Sequence, residues 1–410
     1  MTQLVGARIG DFAGAILSAV SALPPLLLSL DDSVGCTLAE DIVAATALPP
    51  YDLVAYDGYA TKLADVALAS VDQPVVLRVV DQVTAASALP ASVRAGVSVK
   101  VETGARMPLG AEVVIPAEYT DGGLASVTIS APAPLGAGMR PTGCEVAQGT
   151  VVLSEGATLG VVQMAVLAAM GRREVQCFPR PRVVIVTTGE YGPSGTPTDG
   201  ISHALAAGVA DAGGVAYRVG AVQPQAHEML TTLEDHLIRA DLMVVCGGAS
   251  LGPSGARGIL PEVLAELGTV TFTPVAARPL GFVGFGTIGV DSTPFFALPS
   301  DPACALVAFE ALIRPVIRVL AAGEGSPIAI VNARLDATIT SERGICDLVP
   351  VSITRPPSMT PIATPLIRQG GHPPLAVLAK ADGLAVVQED VTLAAAGTKI
   401  DIMLFDKHRG

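Results

Sequence analysis

Tryptophan is absent from this 410-residue chain, and aromatic residues of every kind make up only 4%. Apolar residues reach 50%, ample for large cores that must therefore be mainly aliphatic. Charge is scarce as well, at 15%, so the surface is unusually plain. The balance of 25 basic against 38 acidic residues gives −13, which argues against nucleic acid or an anionic membrane as a partner. No lysine occurs between Lys100 and Lys380. Any anion held centrally thus depends on arginine, backbone amides or helix ends. The six cysteines lie at least 33 residues apart, without Cys-x-x-Cys or Cys/His metal spacing, and the five histidines form no ligand cluster along the chain. Reduced thiols and a cytoplasmic location are the expectation. A long uncharged run does exist, 19 residues from Phe12 to Leu30. Pro24 and Pro25 interrupt it, three serines dilute it and no basic region precedes it. A buried helix to about Ala22 is expected, without membrane insertion.

At this length two to four domains are expected. Short β-branched runs at 75–80, 97–102, 112–116 and 126–130, separated by Gly, Pro and Asp, predict a small all-β domain over 47–142. Residues 1–46 and 143–178 form a linking domain that mixes helix and strand. Over 179–322 strands and helices alternate, beginning with the apolar run RVVIVTTG at 182–189. Helices are expected near 201–212, 225–239, 257–267 and 302–320. The rhythm predicts a central α/β/α domain with a mostly parallel sheet, binding ligands at the carboxyl ends of its strands. Residues 323–410 return to β runs and suggest a C-terminal β-barrel-like domain. The fold class is therefore α/β plus β, multidomain.

Several short segments carry the chemistry. YDLVAYDGYAT (51–61) places Asp57 in a sharp turn, and VETGARMPLGAE (101–112) holds Thr103 in another. Taken alone, both read as ordinary turn residues. GGASLGPSGARG (247–258) is a Gly-rich loop between a buried strand and a helix, suited to exposing backbone N–H groups to phosphate or to a plain tight crossover. Asp199 reads as a helix cap, and Asp301-Pro302 as an N-cap and N1 pair. Cys304, in the next turn, reads as a plain buried thiol rather than a reactive one.

These segments, in this order along nearly the whole chain, resemble signature segments of the molybdopterin molybdenumtransferase family, the MoeA and gephyrin E-domain group. The resemblance implies an elongated homodimer. It also implies insertion of molybdate into adenylated molybdopterin, with Mg²⁺ and release of AMP. Asp57 matches an aspartate lining the active site across that dimer, and Thr103 an active-site threonine. Arg140, Gly143 and Glu145 match an R-x-x-G-x-D motif, with Glu in place of Asp. TTGEYG (187–192) matches S-T-G-D-E-L, which makes Glu190 the surviving acid and puts Tyr191 where a catalytic Glu belongs. The catalytic candidates are thus Asp57, Thr103 and Glu190. Glu190 and Glu145 are the candidate metal ligands, and Ser250, Arg257, Arg278 and Asp301 the candidate cofactor-binding residues.

The departures from the family pattern share one trend. Ile201 stands for an amide of D-x-N, and Pro253 and Gly255 for acidic residues. Gly258 and Gly281 replace lysines, and Asp301 replaces the asparagine of L-P-G-N-P. A carboxylate there repels an incoming oxyanion by roughly 1–4 kcal/mol at ~4 Å. The expectation is a catalytically impaired family member serving, as gephyrin does, as a dimeric protein-binding scaffold. Its partner would be a peptide, such as the tail of a cytoskeletal or division protein, at the junction of the α/β and C-terminal domains. The alternative is an active transferase.

Overall fold

The computed structural model describes residues 6–405 apart from 88–90, 189, 192–196, 200, 224, 248–257, 323–328 and 358–359, with the backbone alone at 190, 191, 197 and 198. The chain divides into two compact units, Glu40–Glu174 and the combination of Met1–Ala39 with Val175–Gly410.

The larger unit begins with helix α1 (Ile9–Ser18). It stops short of Ala22: Ala19 N–H turns back to Ile16 O, Ser18 Oγ donates to Gly14 O, and Leu23 N–H is drawn to Leu320 O at 3.0 Å. The residue before a proline is also biased away from helix, which reinforces the early stop. Among the described residues no helix is long and apolar enough to cross a membrane.

The smaller unit holds a mixed five-stranded sheet of β1 (Gly58–Thr61), β2 (Val75–Val83), β3 (Val97–Val101), β4 (Val113–Pro116) and β5 (Ser126–Ile129), in the order β4-β1-β3-β2-β5. Only the β2–β3 pairing is parallel. Gly58 is obligatory here, because a Cβ would lie 1.9 Å from Ile115 O on β4. Helix α2 (Val161–Ala169) closes the unit.

The larger unit then builds its α/β layer. In chain order it runs β6 (Arg182–Thr188), α3 (Ser202–Asp211), β7 (Val215–Val222), α4 (Ala226–Leu237), β8 (Leu242–Cys246), α5 (Leu260–Leu267), β9 (Gly268–Pro274), β10 (Phe282–Ile288) and β11 (Thr293–Leu298). Helix α6 (Pro302–Ala308) continues through a π turn (Phe309–Ile313) into α7 (Arg314–Ala322). The sheet order is β7-β6-β8-β11-β10-β9. Strand β6 shows why its run is apolar throughout. Val183 and Ile185 pack with α3, α6 and α7, whereas Val184 and Val186 pack with α4 and α5. Both faces are covered, as a period-2 side-chain alternation between two helical layers requires.

The sheet is more mixed than expected. Four strands, β7, β6, β8 and β11, are mutually parallel, but β10 runs antiparallel to β11, and the edge strand β9 pairs antiparallel with β10. The reason is the link from β10 to β11, a turn through Gly289 and Ser292, both at positive φ. So short a link cannot make a parallel crossover. Gly208 lets α3 approach the π turn, since a Cβ would meet the Phe309 ring at 2.6 Å.

The C-terminal region is a closed five-stranded barrel of β12 (Ile330–Leu335), β13 (Cys346–Thr354), β14 (Ile362–Pro365), β15 (Gly383–Val387) and β16 (Lys399–Leu404). Pairings run β13-β14-β12-β16-β15 and back to β13. A short helix, α8 (Leu375–Leu378), lies between β14 and β15. The two-residue strand Ala277–Arg278 adds to β13 and ties the barrel to the α/β layer.

Candidate functional site

In the smaller unit the structure brings Asp57 and Thr103 together. Asp57 precedes β1, and Thr103 follows β3, the antiparallel neighbour of β1. Asp57 Oδ1 accepts both the Thr103 N–H and its hydroxyl, each at 2.8 Å. Those bonds, the backbone one foremost, hold the Asp57 carboxyl below its ordinary range. The pair is thus a fixed, ionised carboxylate in place of two independent turn residues. Arg140 and Glu145 form an ion pair with each other. Gly143, at φ +73°, makes the turn between them, and Asp52 holds that turn by accepting the Thr142 N–H and hydroxyl. Glu145 is therefore already matched by a cation, which weakens it as a ligand for a hard metal ion.

In the larger unit Glu190 follows the carboxyl end of β6 and Asp301 that of β11. After β6, Glu190 and Tyr191 form a short antiparallel strand with Pro197 and Thr198, described by backbone only. Ser250 and Arg257, with most of the Gly-rich loop, lie outside the described residues. Gly247 opens that loop at φ +100°, where a Cβ would fall 1.9 Å from Thr188 Oγ1.

Asp199 caps α3 by accepting the Ser202 N–H at 3.1 Å. It also accepts from the Ser202 hydroxyl, Arg218 at 3.1 Å and Thr187 at 3.2 Å. Burial pushes its carboxyl up, but those donors, led by Ser202, outweigh burial and leave it lowered. Ile201 faces the core, 7% exposed. Ser202 and Arg218 went unnoticed in the sequence, although Arg218 interrupts the β7 run and could have drawn attention.

Arg278 lies beside the barrel. Its Nε and Nη2 grip Asp347 at 2.8 Å each, and its Nη1 reaches Glu342 at 2.8 Å. Asp347 is 1% exposed and also accepts the Ser341 hydroxyl. Three of the five guanidinium donors are thus engaged inside the protein before any oxyanion arrives. Gly281 sits at φ +68°, a conformation that disfavours a lysine there for backbone reasons as well. Arg278, Glu342, Arg343 and His372 line a cavity of about 560 Å³.

Asp301 is the N-cap of α6, its Oδ1 accepting the Cys304 N–H at 2.9 Å. The same oxygen lies 2.8 Å from His372 Nε2, a neighbour with no sequence signal pointing to it. Burial raises the Asp301 carboxyl, and the Cys304 and His372 contacts more than offset that. Cys304, 8% exposed, moves away from reactivity. Burial and the Asp301 carboxylate push its thiol up to about 12.

Among the described residues no set of oxygen ligands converges in the manner Mg²⁺ demands; the one compact cluster contains sulfur and nitrogen. Beyond the carboxyl ends of β6 and β11, where open α/β sheets take their ligands, the described side chains are instead Asp199 and Asp301, each holding a helix start.

Comparison with known proteins agrees with this architecture. Residues 11–171 match the MoeA N-terminal region (domains I and II), residues 184–319 a probable molybdopterin binding domain, and residues 332–405 the MoeA C-terminal region (domain IV). Molybdopterin molybdenumtransferase 1 of Mycobacterium tuberculosis is 33% identical, covering 96% of this chain and 98% of its own length. Molybdopterin molybdenumtransferase 2 of the same organism is 33% identical over 93% and 95%. The crystal structure of a molybdopterin biosynthesis MoeA protein from Pyrococcus horikoshii superposes with a TM-score of 0.77 at 25% identity, covering 98% of this chain and all of that one. With all three regions matched and relatives similar end to end, the chain belongs to the molybdopterin molybdenumtransferase (MoeA) family of molybdenum cofactor biosynthesis.

Proposed function

We propose that this chain inserts molybdate into adenylated molybdopterin, releasing AMP, and does so as a homodimer. The observation that carries this reading is the Asp57–Thr103 pair, an oriented and ionised carboxylate at two positions that match the family's active-site motifs. The end-to-end similarity to two molybdenumtransferases supports it. The pterin and its phosphates would lie at the carboxyl ends of β6, β8 and β11, with Ser250, Arg257 and Arg278 as candidate contacts and Glu190 as the remaining acid. Because the described donors do not assemble around a hard cation, no step is assigned to Mg²⁺.

Two observations favour a second reading, a slowed enzyme kept as a dimeric scaffold for a protein tail. Arg278 is closed off by Asp347 and Glu342, and Asp301 adds a carboxylate where an oxyanion would approach. A single-turnover assay with adenylated molybdopterin and molybdate separates the two. AMP release at the rate of the M. tuberculosis relatives supports the transferase; release at background sinks it in favour of the scaffold. If the transferase reading holds, Asp57→Ala, which removes the oriented carboxylate itself, lowers turnover about 10²-fold with the fold intact. Unchanged turnover in that variant removes Asp57 from the reaction.

A further inference from the structure

We propose that Asp301, Cys304 and His372 form a binding site for one borderline-soft divalent ion of the zinc class. The three donor atoms, a carboxylate oxygen, a thiol sulfur and an imidazole nitrogen, all lie within 4.8 Å of one another. Bond lengths to zinc of about 2.0–2.3 Å place tetrahedral ligand atoms roughly 3.3–3.6 Å apart, so no pair needs to close by more than about 1.5 Å. The donors come from separate segments: Asp301 and Cys304 start α6, and His372 lies in the loop between β14 and α8. That loop is anchored. Gly370 N–H donates to Thr340 O at 2.9 Å, and the missing Cβ of Gly370 leaves room for the Asp347 carboxylate, which would otherwise be 1.9 Å away.

The donor chemistry selects the ion. A thiolate, an imidazole and one carboxylate suit zinc or its first-row neighbours and not magnesium or calcium. In the metal-free protein the Cys304 thiol lies close to the Asp301 carboxylate, and His372 Nε2 sits 2.8 Å from that carboxylate. A dication entering displaces the thiol proton to solvent and takes the place of the proton between His372 Nε2 and Asp301, leaving a neutral imidazole protonated at Nδ1. Two negative ligands then balance two positive charges, relieving the unfavourable approach of thiol sulfur to carboxylate. Burial is graded, with Cys304 buried, Asp301 intermediate and His372 exposed. The fourth position therefore faces outward, as in three-ligand zinc sites that keep a water or an anion. The proposal does not depend on the transferase reading.

Cobalt(II) titration of the EDTA-treated full-length protein tests it, in a Cys144→Ala background that removes the one exposed thiol among the described cysteines. One equivalent should produce a thiolate-to-cobalt charge-transfer band together with tetrahedral ligand-field bands, both abolished by stoichiometric zinc. Cys304→Ser should eliminate the charge-transfer band. His372→Gln, at an exposed position that leaves folding unaffected, should weaken zinc binding by more than about tenfold. The proposal is overturned if no such band appears at stoichiometric cobalt, or if the band and the zinc affinity survive in both variants.

Discussion

Asp347→Ala should destabilise the larger unit by about 3 kcal/mol, seen as a lower denaturant midpoint for its unfolding transition. The carboxylate is almost fully buried and takes two bonds from Arg278 and one from Ser341. Alanine leaves the guanidinium with Glu342 as its remaining carboxylate partner among the described bonds, and that partner's side chain is 66% exposed. Breaking a buried pair from one side costs about 3–5 kcal/mol because the surviving charge stays uncompensated. Arg278 borders the cavity and can lean toward water, so the lower end is expected. Replacing both partners, Arg278→Met with Asp347→Leu, should recover much of the loss, since the penalty belongs to the orphaned charge. A cost below about 1 kcal/mol for Asp347→Ala would mean Arg278 is free to serve a ligand instead, reinstating it as an oxyanion grip.

That contrast shows where sequence reading ran out. Local signals were legible. The apolar run at 182–189 announced a strand covered on both faces, and β6 divides its side chains between two helical layers. Asp301-Pro302 announced a cap, and it caps. The β runs after residue 329 close into a barrel. Long-range partners were not legible, because nothing in local spacing encodes them. Arg278 looked available until Asp347 and Glu342 arrived from the barrel. His372 looked like one of five scattered histidines until the loop after β14 set it against Asp301. The direction of β10 hung on a turn whose left-handed serine, Ser292, gives no compositional warning. Asp347 was the missed clue, a lone acid inside the apolar run of β13, which in a buried strand demands a cation.

Asp199→Ala should cost about 2–3 kcal/mol at neutral pH, and that cost should shrink in acid. The side chain accepts from the Ser202 N–H and hydroxyl, from Arg218 and from Thr187, so its loss uncaps α3 and strips Arg218 of its carboxylate. Arg218 keeps its bond to the Ser202 hydroxyl at 2.7 Å, which limits the damage. The folded-state carboxyl is lowered relative to the unfolded chain, so it stabilises fully above the ordinary carboxylate range, about pH 4. As pH falls below that, the unfolded chain binds its proton first, and the contribution drains away until the folded carboxyl is protonated too. The gap between wild type and Asp199→Ala, read from denaturant midpoints, should therefore narrow from pH 7 to about pH 3. Asp199→Asn keeps a capping oxygen without the charge, and its gap to Asp199→Ala should not change with pH. A wild-type gap as wide in acid as at neutrality would show that the carboxylate stabilises the sheet edge by shape alone. The ion pair with Arg218 would then contribute nothing to fixing the start of α3 at the carboxyl end of β6.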